Sequence, residues 1–148
     1  HDYWWNSYAK LSVALPQGVY ALQNNCIRFG KDLVCGTRGW SIAGENSSQE
    51  DKKIYNRELI RLELSLQAMD KERKEGDRAT LMMHYPPMDV HNHDTGFIQL
   101  INKYKPDAVV YGHLHGKNAR VNPVVNKNGI NYHLTSCDLI GNKLIEVL

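Results

Sequence analysis

Two short stretches of the chain place imidazoles where they could act together. "VVYGHLHGK", residues 109–117, carries His113 and His115 one residue apart, between Gly112 and Gly116 and directly after an apolar run. "LMMHYPP", residues 81–87, sets His84 at the end of a second apolar run. The chain opens on His1-Asp2, an imidazole next to a carboxylate. Neutral imidazole is a ligand for Zn, Fe, Mn and Ni, so three such groups converging would make a metal centre. Each piece alone has a plainer explanation. A single histidine is more often a satisfied polar residue, H-x-H pairs arise by chance, and Pro86-Pro87 is a rigid exit from a strand. Taken together they favour metal, because ligands of open α/β sheets collect beyond the carboxyl ends of strands. Gly112 and Gly116 remove side chains where the backbone has to bend or approach the site closely.

The elements needed to hold those residues are legible in the apolar pattern. "GVYAL" (18–22), "CIRFG" (26–30) and "DLVCG" (32–36) read as short strands broken by turn residues. Ser47 and Glu50 form a capping-box pattern ahead of a long helix over 48–75, whose Tyr55, Leu59, Leu62, Leu66 and Met69 recur at helical spacing as a core stripe. "ATLMMH" (79–84) predicts a buried strand, "TGFIQLINKYK" (95–105) an amphipathic helix stopped by Pro106, and "DAVVYG" (107–112) another buried strand. "INYHLTSC" (130–137) and "KLIEVL" (143–148) predict closing strands. Strands joined by crossover helices make an α/β fold rather than a bundle, in one domain over residues 1–148.

Composition narrows the function. The chain is 42% hydrophobic and 23% charged, with 18 Lys+Arg against 16 Asp+Glu. That is ordinary for a soluble globular domain, and nucleic acid is not indicated as a partner. No apolar run approaches a bilayer span, so no membrane partner is expected. Cys26, Cys35 and Cys137 are widely spaced and without a CxxC pair, which argues for reduced thiols and a cytoplasmic setting.

"HDYWW" (1–5), "MMHYPP" (82–87) and "YGHLHG" (111–116) resemble, in order, the last three blocks of the calcineurin-like metallophosphoesterase superfamily. That family carries a D-x-H block, a G-D block, G-N-H-[DE], a lone His after a strand, and G-H-x-H. "CGTRGW" (35–40) and "KIYNRELIRLELSL" (53–66) are similar to a bacterial branch of predicted phosphohydrolases. The D-x-H and G-D blocks, and the Gly-Asn ahead of His1, have no counterpart here. The resemblance therefore implies the C-terminal part of an αββα sandwich, mixed sheets flanked by helices, truncated at its N-terminus.

It implies a role for each matching residue. His84 and His113 would bind the second of two divalent ions (Mn, Fe or Zn) and His115 the first. His1 would be the non-ligand histidine that assists the transition state or protonates the leaving oxygen, oriented by Asp2. Paired metals about 3.5–4 Å apart clamp phosphoryl oxygens and generate hydroxide, so the substrate would be a small phosphomonoester or phosphodiester. This chain, short of the bridging carboxylate, would hold one metal or none and be impaired in catalysis. Arg38 and Trp40 either hold a substrate phosphate and an apolar moiety or anchor their own loop. His91 and His93 are expected in a solvated loop or substrate rim, His133 in a structural place within a strand, and Trp4 and Trp5 in the core. Two other classes compete: a non-catalytic metal-binding or structural module, and a copper enzyme using an N-terminal histidine, which requires an all-β scaffold.

Overall fold

The computed structural model describes residues 7–89, 91–116 and 122–148. In chain order the elements are α1 (Tyr8–Ala14), β1 (Cys26–Phe29), β2 (Asp32–Thr37), α2 (Gln49–Glu72), β3 (Arg78–Met83), α3 (Gly96–Tyr104), β4 (Ala108–Tyr111), β5 (Val124–Lys127) and β6 (Ile130–Leu134). The strands form one six-stranded sheet in the order β1-β2-β3-β4-β6-β5. The inner pairs β2/β3, β3/β4 and β4/β6 are parallel, while the flanking pairs β1/β2 and β5/β6 are antiparallel. The fold is thus mixed α/β.

Helix α2 begins where Ser48 accepts a hydrogen bond from the Asp51 amide at 3.0 Å, with Glu50 and Asp51 in the first turn complementing the helix dipole. The cap falls one residue after the predicted Ser47, whose hydroxyl instead accepts from the Gly44 amide in the preceding turn. The expected stripe is the packing face: Leu62, Leu66 and Met69 are fully buried, and Tyr55 and Leu59 pack against the core edge. Both crossover helices lie on one face of the sheet. Leu62, Leu66 and Met69 of α2 and Phe97, Ile98 and Ile101 of α3 share a core with Leu33, Leu81, Val109 and Tyr132. Two successive crossovers of one hand, running the same way along the sheet, put both helices on the same side.

The opposite face carries Val34 and Thr80 in one row and Met82, Val110, His133 and Val124 in the next. Met82 is 47% exposed and Val124 46%. Parallel sheets are usually covered on both faces; among the described residues no helix covers this one.

Besides the unforeseen helix α1, the sequence expectations need three corrections. Residues 18–22 form no strand: the chain leaves α1 through Pro16, turns at Gly18 with φ +86°, and leaves Val19 and Tyr20 half exposed. Residues 143–148 also form no strand, and Leu144 is fully exposed there, because β5 already occupies the adjacent edge of the sheet. The unforeseen β5 pairs with β6 through a two-residue turn at Asn128-Gly129, φ +54° and +80°, the conformation that asparagine and glycine tolerate best.

Candidate functional site

Strands β3 and β4 run parallel, so the residues that follow them emerge at the same edge. Backbone bonds continue the ladder past the strand ends. The His84 and Tyr85 amides donate to the Arg38 carbonyl at 3.1 and 2.9 Å, and the Gly112 amide donates to the His84 carbonyl at 3.2 Å. One residue further, the Leu114 amide donates to the Gly112 carbonyl at 2.8 Å, closing a three-residue turn around His113. His113 takes φ +70° there, a left-handed conformation that a side chain occupies at a cost of about 1–3 kcal/mol. The turn aims its imidazole back toward β3.

The result is a histidine pair. Nε2 of His84 lies 3.0 Å from Nδ1 of His113. The Tyr85 ring packs against His113 at 4.0 Å between centroids, tilted by 35°, and fixes that imidazole from its other side. Burial lowers the His113 pKa, and the nearby charge of His115 lowers it further, so the neutral, metal-ligating form is favoured.

Two nitrogens on one ion, each about 2.0–2.1 Å from it and subtending roughly 90–109°, stand about 2.9–3.4 Å apart. The His84–His113 spacing therefore fits two adjacent positions of one coordination shell. Among the described residues no group of three or more His, Cys, Asp or Glu side chains is placed to hold a metal ion. His115 is turned to a different partner. Its Nδ1 lies 2.8 Å from Asp138, whose second carboxylate oxygen accepts the Gly116 amide at 2.9 Å. The Gly116 bond, and then the imidazole, hold the Asp138 carboxyl below the usual range. The catalytic assignments His1 and Asp2, like the core assignment of Trp4 and Trp5, lie outside the described residues.

Arg38 and Trp40 sit beside the pair and are tied to the scaffold. The Arg38 guanidinium lies over the Trp40 ring at 4.6 Å and reaches Glu58 at 3.3 Å. Trp40 donates from Nε1 to Asp51 at 3.2 Å, and its ring stands 5.3 Å from Tyr85. Glu58 is fully buried and anchors this region, accepting from Thr37 at 3.0 Å and Arg61 at 2.8 Å with Arg57 at 3.7 Å. Both side chains are thus tied into their own loop, and Arg38 keeps 45% of its side chain exposed.

His91 and His93 occupy an exposed loop gathered by Asp89, which accepts from both backbone amides and meets Nδ1 of His93 at 2.7 Å. Those bonds, that of the His93 amide foremost, pull the Asp89 carboxyl down to about 2. His133 is buried in β6, as its place within a strand predicted, but neither ring nitrogen has a hydrogen-bond partner among the described residues.

Sequence reasoning missed Tyr85, Glu58 and Asp138. The signal for Asp138 was present, since it stands four residues after β6, and β6 is parallel to β4, so its carboxyl end reaches the same edge. Tyr85 directly follows a predicted ligand. Glu58 gave no signal, being one of several charges on a long helix.

Compared with family models, curated proteins and solved structures, the chain has no significant match.

Proposed function

We propose that this chain is part of a metal-dependent phosphohydrolase, in which His84 and His113 share one divalent ion and His115 stands next to it. The observation that carries this is the 3.0 Å spacing of the two ring nitrogens at the carboxyl edge of parallel strands. The lowered pKa of His113 supports it, because the imidazole is kept in the form that binds a cation. The substrate class is a small phosphate ester, monoester or diester. When bound, the metal would polarise phosphoryl oxygens and supply hydroxide. The chain's own contribution is to hold the two imidazoles against Tyr85, and the half-exposed Arg38 guanidinium would meet a substrate oxyanion.

The open sheet face supports the accompanying fold reading, an αββα sandwich. A second sheet laid over Met82, Val110 and Val124 would cover the apolar row that the helices leave bare. In this proposal the carboxylate ligands would come from that second layer.

The test is hydrolysis of p-nitrophenyl phosphate and bis-p-nitrophenyl phosphate with Mn, Fe or Zn, comparing the 148-residue chain with a longer parent. The chain alone should turn over weakly or not at all, and the parent should lose at least about a hundredfold on His84→Ala or His113→Ala. A parent indifferent to both substitutions overturns the assignment. A non-catalytic metal-binding module is the second reading; a parent that binds metal but leaves both esters intact would establish it. The copper reading loses its scaffold, since the fold is α/β with a 24-residue helix.

A further inference from the structure

Along α2, beside Asn24 at the entry to β1, the helix lines a groove of about 630 Å³. Lys52, Lys53, Arg57 and Arg61 supply four cations to its wall, and no carboxylate lines it. Ile60 and Leu64, one turn apart, give it an apolar patch and are 62% and 43% exposed. The charge is not neutralised from below. Glu58, the carboxylate touching Arg57 and Arg61, is shared with Arg38, so three guanidiniums meet one anion.

The lining runs from Gln49 to Leu64, fifteen residue steps of about 1.5 Å, roughly 22 Å in all. That is too long for one small anion and matches about four turns of a helix. We infer that this face of α2 docks an acidic amphipathic segment of a partner protein, its carboxylates against Lys52, Lys53, Arg57 and Arg61 and its apolar side chains against Ile60 and Leu64. Charge complementarity decides the occupant. A symmetric second copy would lay the same arginines against each other. Nucleic acid would leave Ile60 and Leu64 without apolar partners, since its affinity comes from phosphate contacts. An amphipathic helix satisfies both halves of the surface. Nothing here depends on the histidine pair.

The probe is a fluorescein-labelled 15-residue peptide with leucines at positions 4, 8 and 11 and glutamates at most other positions, followed by fluorescence anisotropy in 0.15 M salt. Saturable binding is expected, weakened about tenfold or more by Lys53→Glu and separately by Ile60→Ser, both exposed positions whose thermal melts should match the wild type. Leu64→Ser serves as a second apolar variant should either of these fold poorly. Two control peptides test the halves independently: one with leucines replaced by serine, one with glutamates replaced by lysine. Neither should bind measurably. Equal binding of the serine control would reduce the surface to unspecific anion attraction and overturn the proposal. So would no binding of the amphipathic peptide, or a self-associating chain whose dimer dissolves on Ile60→Ser.

Discussion

His115 and Asp138 form a closed pair: one carboxylate oxygen meets the imidazole Nδ1 at 2.8 Å while the other takes the Gly116 amide at 2.9 Å. Asp138 therefore ties the turn that follows β4 to the loop that follows β6. With Nδ1 committed, Nε2 is the nitrogen left to meet a ligand, and the carboxylate fixes the tautomer in which it carries the lone pair. On the proposed phosphohydrolase reading, Asp138→Asn lowers turnover about 10–100-fold, the usual range for a group that orients a ligand. The same substitution in the 148-residue chain should speed exchange of the Gly116 amide, measurable by NMR without any metal. Unchanged Gly116 exchange would show that Asp138 does not hold the turn.

His133 predicts a pH dependence of stability. Its ring nitrogens are buried and unpartnered among the described residues, and burial lowers its pKa. The unfolded chain, with a histidine pKa of about 6.5, takes up this proton at higher pH than the folded chain does. Stability is thus fully present above about pH 6.5 and falls as the pH drops through the window beneath it. His113 acts in the same direction. Asp89, lowered from 3.8 to about 2, loses its contribution only at far lower pH, so the effects separate. Urea midpoints at pH 7.5, 6.5 and 5.5 should decline for the wild type and decline less for His133→Phe. Parallel declines in both proteins would clear His133 of the effect.

Which features were legible in the sequence follows from how local their causes are. The crossover helices and buried strands β2, β3 and β4 announced themselves through periodic apolar residues, and β3 and β4 located the ends from which His84 and His113 emerge. The Asn128-Gly129 hairpin was readable in principle, yet its strand β5 is polar and half exposed, and its apolar signal was too thin. "GVYAL" and "KLIEVL" have strand-like composition without a neighbour to pair with, which composition cannot report. The left-handed turn at His113 is set by bonds across three chain segments, from Arg38 through His84 to Gly112. Pairing of His115 with Asp138 joins residues 23 positions apart, and no periodicity encodes it.

Glu58 carries a stability prediction with two separable parts. Its side chain is fully buried, one oxygen bonded to Thr37 and the other to arginines that keep 30–52% of their side chains exposed. Glu58→Gln preserves the hydrogen-bonding shape and removes only the charge; because the guanidiniums can rehydrate, the expected loss is about 1–2 kcal/mol. Glu58→Ala also strands the Thr37 hydroxyl and leaves a void, so its loss should reach about 3–4 kcal/mol. Chemical denaturation measures both. Equal losses would mean that the charge, not the packing or the Thr37 bond, is what Glu58 contributes.

Gly36 is the place where one methyl group should do the most harm. It lies in β2 opposite Met82 of β3, and a Cβ built there would stand 2.0 Å from the Met82 carbonyl oxygen. That oxygen belongs to the backbone of a central strand and cannot rotate aside as a side chain would. Movement in the other direction is blocked as well, because Ser65 of α2 binds Gly36 from the far side, accepting from its amide and donating to its carbonyl at 2.9 Å each. The same hydroxyl lies 2.6 Å from the Asn25 carbonyl, so shifting β2 would disturb the entry to β1 too. Overpacking in a fixed interior costs about 1–3 kcal/mol, and Gly36→Ala should lie at or above the upper end of that range. The strain also propagates: β2 and β3 lead directly into Arg38 and His84, whose backbones are bonded to each other. Gly36→Ala should therefore shift the ring resonances of His84 in an NMR spectrum as well as lower the melting temperature. Gly44, whose Cβ position is open, is the matched control and should tolerate alanine with little change. A Gly36→Ala protein as stable as Gly44→Ala, with His84 unmoved, would show that the strands do not approach as closely as this.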